Sequence, residues 1–196
     1  MLCYQGNKAI YVLGCNENDL LFLCKSVMPY GIIFWGNSHI SGSIFKVQKR
    51  IIRIITKAGK RNSCRQLYKQ LQILPLPSLY IFSILVFANN RSLFLSNSEI
   101  HDRNTRYNHN LHLSSTNLTM VQKGVLHSGS NIYNHLPLHI TMLSKDAKQF
   151  KSKLRSHLIE HTFYSLGWIL SINILMYCTW LLLNIFYLSH VSIQTC

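Results

Sequence analysis

Apolar positions in this chain recur with a helical period, most clearly from Ile44 to Arg61, IFKVQKRIIRIITKAGKR. At about 100° per residue, Lys46, Lys49, Arg50, Arg53, Lys57, Lys60 and Arg61 fall within an arc of roughly 120°. Val47, Ile51, Ile54, Ile55 and Ala58 lie opposite. The pattern predicts a helix that docks an aliphatic side on a core and turns a ridge of cations outward, capped from Ser41-Gly42-Ser43 and ended at Gly59.

The remaining elements follow from the same periodicity. Met1 to Asn18 has no clear period and reads as a loop or leader. Asp19 to Phe34 predicts a helix ending near Val27, a turn at Met28-Pro29, and a short apolar piece through Trp35. Asn62 or Ser63 caps a short helix to about Leu71, with Cys64, Leu67, Tyr68 and Leu71 inward and Arg65 and Lys69 outward. Pro75 and Pro77 hold the connection out of helical geometry. Ser78 to about Phe94 is apolar nearly all round until Asn89, too short to cross a bilayer, and is expected to be the central core helix.

From Ser96 to Asn131 the chain is rich in Ser, Thr, Asn and His, the composition of loops, with only hints of order at Leu111/Leu113 and Val121/Val125. Ile132 to Ile140 packs back on the body. Ser144 is expected to cap a helix from Lys145 to His161, with Ala147, Phe150, Leu154, Leu158 and Ile159 on one face and Lys148, Lys151, Lys153 and Arg155 as a second basic cluster. Leu166 to Leu188, LGWILSINILMYCTWLLLNIFYL, is long and apolar enough for a transmembrane helix. The fold class is therefore mainly α: a small helical domain with a polar, loop-rich middle and a hydrophobic C-terminal helix. Its parts are an unassigned leader (1–19), a helical region (20–165) and a hydrophobic tail (166–196).

Charge sharpens the picture. Twenty Lys and Arg against six Asp and Glu give a formal charge of +14 over 196 residues, which points to polyanionic partners: RNA, DNA or an anionic membrane surface. No acid occurs between Leu20 and Ser98, so the ridge lacks the glutamates that a merely solvated helix face usually carries. An acidic protein partner is a third alternative. Trp35 and Tyr107 are the aromatics best placed among the basic segments to stack on bases.

Catalytic chemistry is poorly supplied. The acids Glu17, Asp19, Glu99, Asp102, Asp146 and Glu160 include no D-D or D-x-D pair, so a two-metal centre is hard to build. No phosphate-binding glycine loop or G-x-S-x-G turn is present. Cys64, His101, His109 and His112 match no common zinc spacing, and the six cysteines form no C-x-x-C pair, as in a reduced, intracellular chain. The first residues lack signal-peptide character, and Asn117-Leu118-Thr119 is a chance sequon if the chain is not secreted. No cofactor, metal or small-molecule substrate is expected.

YGIIFWGNS (Tyr30 to Ser38) followed by IFKVQKRIIRII (Ile44 to Ile55) resembles the region just after the polymerase domain in reverse transcriptases of jockey-like, non-LTR (LINE-type) retrotransposons. In order follow SCRQLYKQLQILPLPSLYIF (Ser63 to Phe82), H-x-x-N-T-R (His101 to Arg106), GSNIYNHLPLHI (Gly129 to Ile140), FKSKLRSHL (Phe150 to Leu158) and FYSL (Phe163 to Leu166). The resemblance implies the end of the thumb and a helical C-terminal region that helps hold template, primer or target. The catalytic aspartates and the endonuclease domain belong upstream of such a region, so the resemblance implies a non-catalytic fragment. It also implies backbone-phosphate contacts at Lys46, Lys49, Arg50, Arg53, Lys57, Arg65 and Arg106; Lys60 and Arg61 join these from the helical projection. The departures at both ends imply a truncated copy continued into unrelated sequence. The rival expectation is a tail-anchored membrane protein, in which the cations from Lys145 to Arg155 keep the basic domain cytosolic.

Overall fold

A computed structural model of the chain describes residues 16–89, 93–101, 106, 108–165 and 167. Among these residues the molecule is mainly helical, and its only β pairing is an isolated antiparallel bridge between Ser96 and Leu111. The elements run α1 (Glu17–Phe22), a π-helical turn (Leu23–Val27), α2 (Ile32–Trp35), α3 (Ser41–Ile55), α4 (Cys64–Gln70), α5 (Leu76–Ala88), α6 (Asn97–Ile100), α7 (Thr119–Gln122), α8 (Val125–Asn134), α9 (Leu138–Thr141), a 3₁₀ turn (Met142–Lys145) and α10 (Ala147–His161). The hydrophobic tail lies outside the described residues except Gly167. No described helix is long and apolar enough to cross a membrane.

α5 is the hub, as its all-round apolarity predicts. Leu76, Tyr80, Ile81, Ile84, Leu85 and Ala88 are buried, and the helix packs against α2, α3, α8 and α10. It begins at Leu76 rather than Ser78, because a proline within the first turn removes an N–H that has no intrahelical partner anyway. It ends at Ala88 rather than Phe94; Phe94 is buried beyond the helix with its ring against Phe87. Gly36, just after α2, is required by close approach: a Cβ there would run into the Tyr80 ring and the Ile32 carbonyl. Gly31 turns the chain into α2 at φ 62°, the left-handed region that glycine enters at little cost.

Other boundaries differ from the sequence reading for local reasons. Glu17, Asn18 and Asp19 all belong to α1, because Asn16 caps that helix and accepts from the Glu17 N–H. Ser41 opens α3 without capping it; its hydroxyl donates to the Ser38 carbonyl. α3 closes at Thr56, not Gly59: Lys57 takes a left-handed φ of 51°, and the Ala58 and Lys57 N–H groups return to the Arg53 and Ile54 carbonyls. Asp146, not Ser144, caps α10, accepting from the N–H groups of Lys148 and Gln149. Ser63 caps α4 as expected, with Cys64 and Tyr68 buried. In the polar middle, α8 starts at Val125, inside the stretch expected to be loop, and Asn134 fixes the passing chain through paired 2.8 Å bonds to the Leu111 N–H and carbonyl.

Candidate nucleic-acid interface

α3 carries the cation ridge, but its buried side is not the one the aliphatic residues mark. Phe45, Gln48 and Ile52 face the core, whereas Val47, Ile51 and Ile55 are half-buried and Ile54 is exposed. The buried face is thus turned by about 100° toward Lys49 and Arg53. Gln48, 0% exposed, explains the rotation. Its Nε2 donates to the Leu74 carbonyl at 3.1 Å, and its Oε1 accepts from the Leu76 N–H at 2.8 Å and the Tyr68 hydroxyl at 3.1 Å. One side-chain amide therefore joins α3 and α4 to the start of α5, satisfying groups that are costly to bury unpaired.

The rotation divides the predicted cations into two kinds. Lys46 and Arg50 project into solvent from α3, while Lys49 and Arg53 are half-buried at its edge. Lys49 Nζ lies 4.5 Å from the Phe45 ring centroid and 5.7 Å from that of Tyr164. Arg53 donates through Nε and Nη2 to the Asn62 carbonyl at 3.4 and 3.2 Å, holding the α3–α4 loop. Arg65, on α4, places its guanidinium carbon 5.1 Å from the Tyr164 centroid. These cation–aromatic contacts orient the charged groups and leave the outer surface positive.

Lys57, Lys60 and Arg61 follow the end of α3, so the single helical arc drawn through them does not form. Lys60 and Arg61 are exposed in the loop before α4. Lys57 Nζ is 3.7 Å from Glu17 Oε1, an exposed ion pair in which α1 supplies the acid missing from the local sequence. Arg106 is exposed in the turn whose neighbours Asn108 and Asn110 bond to the backbone at α6, a different part of the fold from α3 and α4. The structure thus brings Lys46, Lys49, Arg50, Arg53 and Arg65 together on α3 and α4, with Lys57, Lys60 and Arg61 in the joining loop.

Tyr164 is the participant that helical projection misses. Thr162 closes α10 in a left-handed conformation, Phe163 is buried, and the Ser78 hydroxyl donates to its carbonyl at 3.2 Å. That anchor sets Tyr164 edge-on against Phe45 and Tyr68, with centroids 5.1 and 6.3 Å away. Burial, aided by Cys64, raises the Tyr164 phenol pKa, while Arg65 and Arg53 pull against the shift. Its sequence signals are an aromatic residue directly after another and its place in FYSL (Phe163 to Leu166), and neither says what the ring packs against.

Of the stacking candidates, Trp35 is half-buried with its indole N–H on the Tyr30 carbonyl at 3.1 Å, and Tyr107 lies outside the described residues. Tyr30 and Phe34 are far more open, each 85% exposed. Cys64, His101, His109 and His112 do not assemble into a zinc set: Cys64 is buried with its thiol toward the Lys49 carbonyl, while His101 and His112 pair at 5.7 Å in the polar middle. Burial pushes the Cys24 thiol up to about 11, so it is inert at neutral pH. The chain matches no family model, no curated protein and no solved structure.

Proposed function

We propose that this chain is a non-catalytic remnant of a non-LTR retrotransposon RNA-directed DNA polymerase that retains affinity for nucleic-acid phosphates. The observation that carries the reading is the concentration of Lys46, Lys49, Arg50, Arg53 and Arg65 on two adjoining helices that contain no acid. Lys46 and Arg50 are the direct phosphate contacts; Lys49, Arg53 and Arg65 supply a positive field from positions fixed by the fold. Exposed Tyr30 and Phe34 offer faces for unpaired bases. The order of the segments from Tyr30 to Leu166 that resemble that family supports the reading. An intracellular setting, in cytoplasm or nucleus, goes with that reading.

The test is binding of the full chain, in neutral detergent, to labelled single-stranded RNA and duplex DNA across a salt series. Affinity for duplex is expected to fall steeply with salt, and Lys46→Glu with Arg50→Glu to flatten the log–log slope by about 1.8. An unchanged slope in the double variant removes the ridge from the reading. A second reading, a tail-anchored protein with a basic cytosolic domain, is favoured by the exposed cations of α10 shortly before the apolar sequence Leu166 to Leu188. It requires carbonate-resistant membrane association that disappears when 166–196 is deleted.

A further inference from the structure

We propose that His157 and His161 of α10, with His139 of α9, form a binding site for a first-row divalent metal ion of the Zn²⁺ type. His157-Leu158-Ile159-Glu160-His161 reads H-x-x-E-H, which puts two imidazoles one turn apart on a helix. Their ring centroids are 4.5 Å apart, and His139 approaches His157 at 6.0 Å from the neighbouring element. Two imidazoles on one tetrahedral zinc place their centroids about 5 Å apart, between those two separations. Phe163 lies 5.7 Å from the His161 ring, stacked, and 6.3 Å from His157, giving the pair an apolar backing.

None of the three imidazoles has a hydrogen-bond partner among the described residues, so their nitrogens are uncommitted to other protein groups. Among the described residues no three potential donors already converge on one point. His157 and His161 accordingly make the chelate, and the side chain of His139, exposed and able to turn, supplies the third nitrogen with water in the fourth position. This site is separate from α3 and does not depend on nucleic-acid binding.

Titrating the full chain in neutral detergent at neutral pH with Co²⁺ tests it. The expected result is an intense visible d–d band saturating at one ion per chain and abolished by competing Zn²⁺. His161→Gln, an exposed change that leaves the fold unchanged by circular dichroism, should lose the band. His157→Gln should do the same, and His139→Gln should weaken it toward the faint spectrum of octahedral Co²⁺. A His101→Gln, His112→Gln variant should keep it. Absence of the band in the natural chain, or its persistence in a folded His161→Gln variant, overturns the proposal. An unaltered band in His139→Gln overturns the assignment of the third ligand.

Discussion

α3 and α10 are both 15-residue helices with a buried side and a row of cations, yet they use those cations differently. α10 buries Phe150, Leu154, Leu158 and Ile159, and Lys148, Lys151, Lys153 and Arg155 stand exposed on the rest of its surface. Arg155 reaches the turn just after α4, donating to the Gln72 carbonyl at 3.1 Å. α3 instead buries a polar residue among apolar ones, and the resulting rotation draws Lys49 and Arg53 into structural contacts. Equal numbers of positive charges on two helices are thus unequal as binding surfaces, because which face is buried decides which cations remain for a ligand.

The sharpest way to break the comparison is to remove what fixes each buried face. Leu154→Ala deletes methyl groups from a fully buried site and should lower stability by about 2–5 kcal/mol. Gln48→Leu keeps the volume but strands the Leu76 N–H, the Leu74 carbonyl and the Tyr68 hydroxyl, each a loss of about 1–3 kcal/mol if left unsatisfied. Chemical denaturation should find Gln48→Leu at least as damaging as Leu154→Ala. A neutral or stabilised Gln48→Leu variant would mean that an apolar residue suits the position and that the network does not set the rotation of α3.

Gln48 also marks where the sequence stops being legible. α4 and α5 can be read directly, since Ser63 caps one and the other is apolar all round, so no choice of face arises. α3 demands such a choice. Val47, Ile51, Ile54 and Ile55 define a coherent aliphatic stripe, and a glutamine beside a lysine looks like surface until its three partners, 20 to 28 residues away, are in place. Helix ends mislead for a related reason. Gly59 and Ser144 are the residue types that close and cap helices, but Lys57 and Asp146 perform those tasks, and only backbone geometry distinguishes them. The cation residues are legible as a set; their division into exposed and engaged is not.

Charge reversal sharpens the contrast with smaller effects on folding. Lys46→Glu with Arg50→Glu on α3, and Lys148→Glu with Lys151→Glu on α10, each change exposed side chains by the same total charge. Stability should move by no more than about 0.5 kcal/mol for such surface changes. In the salt series the α3 pair should flatten the slope, and the α10 pair should lower affinity at low salt through the long-range field while leaving the slope nearly intact. Equal slopes in the two variants would show that the ridge and α10 contribute alike and that phosphate binding is spread over the surface.

The smallest effect concerns how the two helices end. Each closes with a non-glycine residue in the left-handed region, Lys57 at φ 51° after α3 and Thr162 at φ 43° after α10. That conformation disfavours a Cβ by about 1–2 kcal/mol, and glycine removes the strain at the expense of greater freedom in the unfolded chain. Lys57 is exposed, and its ion pair with Glu17 joins two solvated side chains, so little else is lost on substitution. Lys57→Gly should therefore raise stability by roughly 0.5–1 kcal/mol. Thr162 is only 2% exposed, and Thr162→Gly also gives up buried side-chain atoms at about 0.8 kcal/mol per methyl-sized group, before any cavity forms. Its net effect should be neutral or destabilising. Opposite signs in thermal unfolding of the two variants would confirm that α3 ends at a solvated surface and α10 inside the packing that positions Tyr164; stabilisation by both would separate Thr162 from that packing.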